Sequence, residues 1–172
     1  SLAVIGAFAK QLRFQGAGSS QVTVAQIDSA WDALAAQGWQ TSYAPGYESD
    51  GSTTATLLQE AEKVAANADI ALVFAGLPGR YESESFDRDH IDLPEGHNRL
   101  IETVAAANTK TVVILTNGSA VTMPWVDRVT SIVEGWLAGQ AGGSAIADVL
   151  TGKINPSGKL SETFPQRLED CP

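Results

Sequence analysis

Short runs of apolar or β-branched residues alternate along this chain with stretches in which apolar residues recur at helical spacing. Residues 2–5, 70–75, 111–115 and 131–135 are such runs, closed by glycine or polar turns, and read as buried strands. Residues 39–43 follow a helix stop at Gly38 and read as another, and 160–164 as a last, edge strand before Pro165. From Thr23, the residues Val24, Ile27, Trp31 and Leu34 line one face of a helix. Leu57, Leu58, Ala61, Val64 and Ala65 line a second. After Pro94, at a first helical position, Leu100, Ile101, Val104 and Ala105 line a third, and 144–150 reads as a helix of small residues.

Strands alternating with amphipathic helices imply an α/β domain, because parallel neighbours need crossover connections. The expected architecture is a mostly parallel six-stranded sheet with helices on both faces. In such sheets ligands gather beyond the carboxyl ends of the strands. The stretch between the run at 70–75 and Pro94 shows no periodicity, which is long against the roughly 2–6 residues of ordinary loops in α/β units. It carries Glu82, Glu84, Asp87 and Arg88.

At 172 residues one domain is expected. The formal charge of −9, with no local Lys/Arg cluster, speaks against nucleic acid and anionic membrane partners. A single cysteine, Cys171, rules out an intrachain disulfide and a cysteine-based metal site. No apolar stretch reaches the roughly 20 residues of a bilayer span. The chain starts without Met inside an apolar run, and reads as a domain taken from something longer.

Nucleotide cofactors are not indicated. Gly16-Ala17-Gly18 lies too far beyond the first strand for a pyrophosphate cradle, and the Gly139–Gly143 stretch lacks the lysine of a phosphate-binding loop. The first strand ends at Gly6-Ala7-Phe8 without the acidic cluster of a phospho-acceptor domain. His90 and His97, with Asp87, Asp89 and Asp92 nearby, lack helical ligand spacing and read as solvated loop residues rather than a metal site. Trp31, Trp39 and Trp136 read as core. Trp125 suits either a site wall or the core.

The acidic loop is open to two readings, a solvated surface or a site holding a general acid. The second needs a carboxyl whose pKa is raised by burial or a like-charged neighbour, and Glu82 and Glu84, two apart, could couple in that way. A second carboxylate to flank a scissile glycosidic bond is not evident.

A set of motifs decides between classes: the 13–20 loop Arg-Phe-Gln-Gly-Ala-Gly-Ser-Ser, Glu82-Ser83-Glu84-Ser85-Phe86-Asp87-Arg88 with Asp92-Leu93-Pro94, Asn117-Gly118-Ser119-Ala120-Val121, Met123-Pro124-Trp125, the 139–150 segment and Asn155-Pro156-Ser157-Gly158-Lys159-Leu160. In this order they resemble, almost end to end, the second domain of glycoside hydrolase family 3 β-glucosidases, an α/β sandwich of flavodoxin-like type. The resemblance implies a preceding (β/α)₈ barrel that carries the nucleophile and most of the sugar pocket, while this domain lends the general acid/base. That role falls on Glu84, with Glu82 the alternative. Arg13 and Ser19 become substrate contacts, with Trp125 a further candidate. The family commonly has glycine where this chain has Ser85. The implied activity is retaining hydrolysis of terminal non-reducing β-D-glucosyl residues, without metal or cofactor, in a cytoplasmic bacterial enzyme of which this piece alone is inactive. The competing expectation is a non-catalytic scaffold or carbohydrate-binding domain packed on a barrel.

Overall fold

Alternate residues of the central strands supply two separate cores. The computed structural model describes residues 1–85 and 87–171, so Phe86 of the acidic motif and Pro172 lie outside the described residues. Strands β1 (Leu2–Ile5), β2 (Thr41–Ala44), β3 (Ile70–Gly76), β4 (Thr111–Thr116) and β5 (Ser131–Glu134) pair in the order β2-β1-β3-β4-β5, every pair parallel. Ala3, Ile5, Ala71, Val73, Ala75, Val113 and Leu115 point to one face, where α2 (Ala55–Ala66) and α3 (Glu95–Ala107) cover them with Ala61, Ala65, Leu100, Ile101 and Val104. Leu2, Val4, Leu72, Phe74 and Ile114 point to the other, under α1 (Ala30–Ala36) and α4 (Gly142–Leu150). Burial on both faces explains why these strands read as continuous apolar runs.

Three expectations change. Residues 160–164 form no strand, so the sheet has five strands among the described residues rather than six. Strand alternation would put Glu162 on one face with Leu160 and Phe164, so pairing there would bury a carboxylate. Phe164 instead meets Trp136, with ring centroids 5.8 Å apart. The first helix begins at Ala30, not near Thr23. Ser29 caps it, its hydroxyl accepting from Asp32 N at 3.0 Å, and Asp28 before it is tied to Gln140 O and Ser144 Oγ. Val22 and Ile27 are thereby left 61% and 41% exposed. The second strand begins at Thr41, and Trp39 before it is exposed rather than part of the core.

Glycine ends β1 for a steric reason. Gly6 sits at φ 109°, and a Cβ there would lie 2.1 Å from the carbonyl oxygen of Phe74. No helix among the described residues is long and apolar enough to cross a membrane.

Phe74 is fully buried in the centre of the sheet. Replacing it with alanine is expected to lower the unfolding free energy by about 3–5 kcal/mol in a denaturant titration. Val22→Ala should move it by less than about 0.5 kcal/mol. Equal effects would contradict the assignment of Phe74 to a sheet layer.

Candidate active site at the carboxyl edge of the sheet

The chain leaves β1 towards α1 on one face and β3 towards α3 on the other, so the two loops part at the β1/β3 boundary. A strand-order reversal of this kind is where open α/β sheets place ligands. The loop after β1 carries Arg13 and Ser19, and the loop after β3 carries Glu82 and Glu84. The structure brings all four together, and it separates the two glutamates by environment.

Glu82 is enclosed. Arg13 Nη1 donates to its Oε2 at 2.5 Å and to Leu77 O at 2.6 Å, and the two side chains are only 9% and 14% exposed. From the loop after β4, Gly118 N donates to both carboxylate oxygens at 3.1 and 2.9 Å, and Ser119 Oγ donates to Oε1 at 2.5 Å. Burial alone would raise the pKa of Glu82. The hydrogen bonds from Ser119, Arg13 and Gly118, with the Arg13 charge, outweigh it and hold the carboxyl below its ordinary value. Glu82 is thus a neutralised anion joining three loops.

Glu84 is exposed at the same edge. Ser19 N–H donates to its Oε2 at 2.9 Å, and the Ser19 hydroxyl donates to the same oxygen. These two bonds, the hydroxyl's first, lower its pKa against a small opposing effect of burial. Both carboxyls are thus held below their ordinary value, the opposite of the rise expected if Glu82 and Glu84 shared a proton. Gly18 allows the close approach: it sits at φ 92°, and a Cβ there would lie 2.7 Å from Glu84 Cβ. Ala17 and Ser83 add a parallel bridge between the loops. Ser85 adopts φ 77°, the left-handed region that glycine tolerates best.

The remaining candidates fall elsewhere. Trp125 is fully buried, its Nε1 donating to Asn98 Oδ1 at 2.9 Å, and presents no wall to this edge. Its large apolar area was the stronger pull. His97 is also fully buried rather than solvated. Gly76 N donates to its Nδ1 at 3.2 Å, Tyr47 lies against its ring, and burial pushes its pKa down to about 3. His90 is partly exposed beside Tyr81. Two surface hollows, both lined by Tyr81, Pro94 and Glu95, include none of Arg13, Ser19, Glu82 and Glu84.

Asn117, Gly118, Ser119 and Glu134 went unassigned in the sequence, although the Asn117-Gly118-Ser119 turn directly follows a strand. Glu134, at the end of β5, accepts from Trp136 N at 2.9 Å and from Asn117 Nδ2 at 3.4 Å. Burial pushes its pKa up to about 7, against the hydrogen bonds from Trp136 and Asn117, with Glu82 adding to the rise.

The family model of the glycosyl hydrolase family 3 C-terminal domain matches residues 1–172 of this chain. The chain belongs to that family. It is 50% identical over 177 residues to thermostable beta-glucosidase B of Acetivibrio thermocellus, covering 100% of this chain and 23% of that protein. It is 46% identical to an exo-alpha-(1->6)-L-arabinopyranosidase of Bifidobacterium longum, covering 99% of this chain and 23% of that one. The crystal structure of a Bifidobacterium adolescentis GH3 beta-glucosidase superposes with a TM-score of 0.94 at 46% identity, over 100% of this chain and 26% of the other. This family 3 C-terminal domain therefore spans about a quarter of the length of these relatives, and it shares its fold with the matching part of the Bifidobacterium adolescentis enzyme.

Two outcomes follow from the local geometry. Ser85→Gly should stabilise the domain by up to about 1 kcal/mol, relief of left-handed strain exceeding the entropy that glycine gains in the unfolded chain, whereas Ser85→Val should destabilise it. Thermal melts would give that order, and Val as stable as Gly would refute the backbone assignment. Glu134 holds its proton more tightly folded than unfolded. Its contribution is present below its ordinary value of 4.5 and is lost as pH rises through about 7. Glu134→Gln should therefore gain stability relative to the parent between those values, and a pH-independent difference in melting temperature would count against it.

Proposed function

We propose that this domain supplies Glu84 as the general acid/base of a retaining exo-glycosidase acting on terminal non-reducing β-D-glucosyl residues. The nucleophile and most of the sugar pocket belong to a (β/α)₈ barrel outside these 172 residues. The observation that carries this reading is the contrast between the two glutamates. Both oxygens of Glu82 are occupied by Arg13, Gly118 and Ser119, whereas Glu84 is exposed with only Oε2 held, by Ser19. No donor among the described residues reaches Glu84 Oε1, which is the oxygen left to exchange a proton with a substrate.

The chemistry is double displacement. Glu84 first gives its proton to the glycosidic oxygen while the nucleophile attacks the anomeric carbon and the aglycone bond breaks. It then takes a proton from the water that attacks the same carbon and frees the nucleophile. As a general acid Glu84 must be protonated, yet in this domain Ser19 holds its pKa low. A covering barrel supplies both corrections, by desolvating the carboxyl and by bringing the nucleophile's negative charge close. The open edge gives the sugar no enclosure of its own. Its ring is selected elsewhere, in keeping with near-equal identity to relatives named for a glucoside and an arabinopyranoside. The isolated domain is inactive on this reading.

In the full-length parent, Glu84→Ala is expected to cut turnover of aryl β-glucosides with poor leaving groups by about 10²–10⁴-fold and to spare activated ones. Azide should restore activity with formation of the β-glycosyl azide. Wild-type behaviour of Glu84→Ala, or appreciable turnover by the 172-residue domain alone, would overturn the proposal.

A further inference from the structure

We infer that Ser119 is a positioning residue for Glu84, the single hydroxyl on which both ends of the acid/base segment are fixed. The inference rests on the reading of Glu84 given above. Glu82 and Arg88 bracket Glu84 in the chain. Ser119 Oγ donates to Glu82 Oε1 at 2.5 Å and accepts from Arg88 Nη2 at 2.8 Å, so one atom links the carboxylate on one side of Glu84 to the guanidinium on the other. Arg88 Nη2 also reaches Ala120 O at 3.3 Å, and Gly118 N holds both oxygens of Glu82. The stretch from Glu82 to Arg88 is stapled at both ends to the turn after β4.

A second route from Ser119 arrives at the same side chain. Glu82 holds Arg13, Arg13 belongs to the loop that carries Ser19, and Ser19 binds Glu84 Oε2. Glu84 is thus held through its own backbone and, at its side chain, through Ser19; Ser119 bonds to Glu82, which serves both routes, and to Arg88, which serves the first. Downstream, Thr122 Oγ1 donates to Asp92 Oδ1 at 2.5 Å and Thr122 N to Ile91 O at 2.8 Å, which returns the loop to the same segment. Ser119 itself is half-buried at the rim of the sheet and belongs to neither apolar core, so shortening it opens no core cavity. Removing the hydroxyl takes a donor from Glu82 and an acceptor from Arg88 together. The resulting displacement of Glu84 is read out in the step that needs a positioned acid.

The test is a double-mutant cycle in the full-length enzyme with Ser119→Ala, Glu84→Ala and the double variant, each measured on aryl β-glucosides with poor and good leaving groups. Ser119→Ala is expected to lower kcat/KM roughly 10- to 100-fold for the poor leaving group and far less for the good one. Ser119→Thr, which keeps the hydroxyl, should restore it. In the Glu84→Ala background the serine change should cost under about twofold, the non-additivity expected of two coupled residues. An equal loss on both substrates, a full loss in the Glu84→Ala background, or wild-type rates for Ser119→Ala would each overturn the inference. Arg88→Lys, put through the same cycle, loosens the other end of the staple and decides the matter if Ser119→Ala does not fold. Poor-leaving-group turnover undiminished by Glu84→Ala alone would instead sink the acid/base reading itself, a result the single variant reports separately.

Discussion

A half-charged network around the Glu82 carboxylate holds the carboxyl edge of this sheet together. Taking Arg13 and Glu82 out of water costs several kcal/mol per ion, and the pair alone would not offset it. What offsets it is the saturation of the acid: Arg13, Gly118 N–H and the Ser119 hydroxyl converge on its two oxygens from two different loops. An apolar pair of similar volume could fill the space, but it would not define direction. The bonds fix how the loop after β1, the loop after β3 and the turn after β4 stand relative to one another. Arg13 reaches back to Leu77 O as well, so the register includes the end of β3 itself.

Around that anchor the backbone is pressed close enough for single atoms to matter. Gly18 leaves no room for a Cβ against Glu84, and Ser85 accepts a left-handed conformation although it is not glycine. Such departures persist only where surrounding contacts over-determine them, and they concentrate at sites where geometry is used. Here the over-determination is visible on both sides of the strained residue, at Glu82 and at Arg88.

The layers were legible in the sequence because a parallel sheet buried on both faces leaves uninterrupted apolar runs at 2–5, 70–75 and 111–115. Where the signal was amphipathic rather than continuous, it misled. Val24 and Ile27 keep helical spacing with Trp31 and Leu34, but Ser29 caps the helix after them. Leu160 and Phe164 alternate like a strand, but a strand there would put Glu162 on their face. The candidate site was legible as a place, in that the loops expected at a strand-order reversal do bring Arg13, Ser19, Glu82 and Glu84 together. The difference between Glu82 and Glu84 was not legible, because it is decided by Ser119 and Gly118, distant in sequence and unremarkable in type. Trp125 suits either a site wall or the core on sequence alone, and the structure buries it, with its indole N–H donating to Asn98.

The bonds described at this edge are made within the domain. Ser19, Arg13, Gly118 and Ser119 place Glu84 without any contribution from a covering body, so the entropy of ordering these loops is spent when the domain folds and not when another surface closes over it. A partner that docks on this edge meets a stiff template rather than a flexible lid. Its own surface can then change in shape while the Glu84 side chain keeps its place, which lets the two sides of such a contact vary separately.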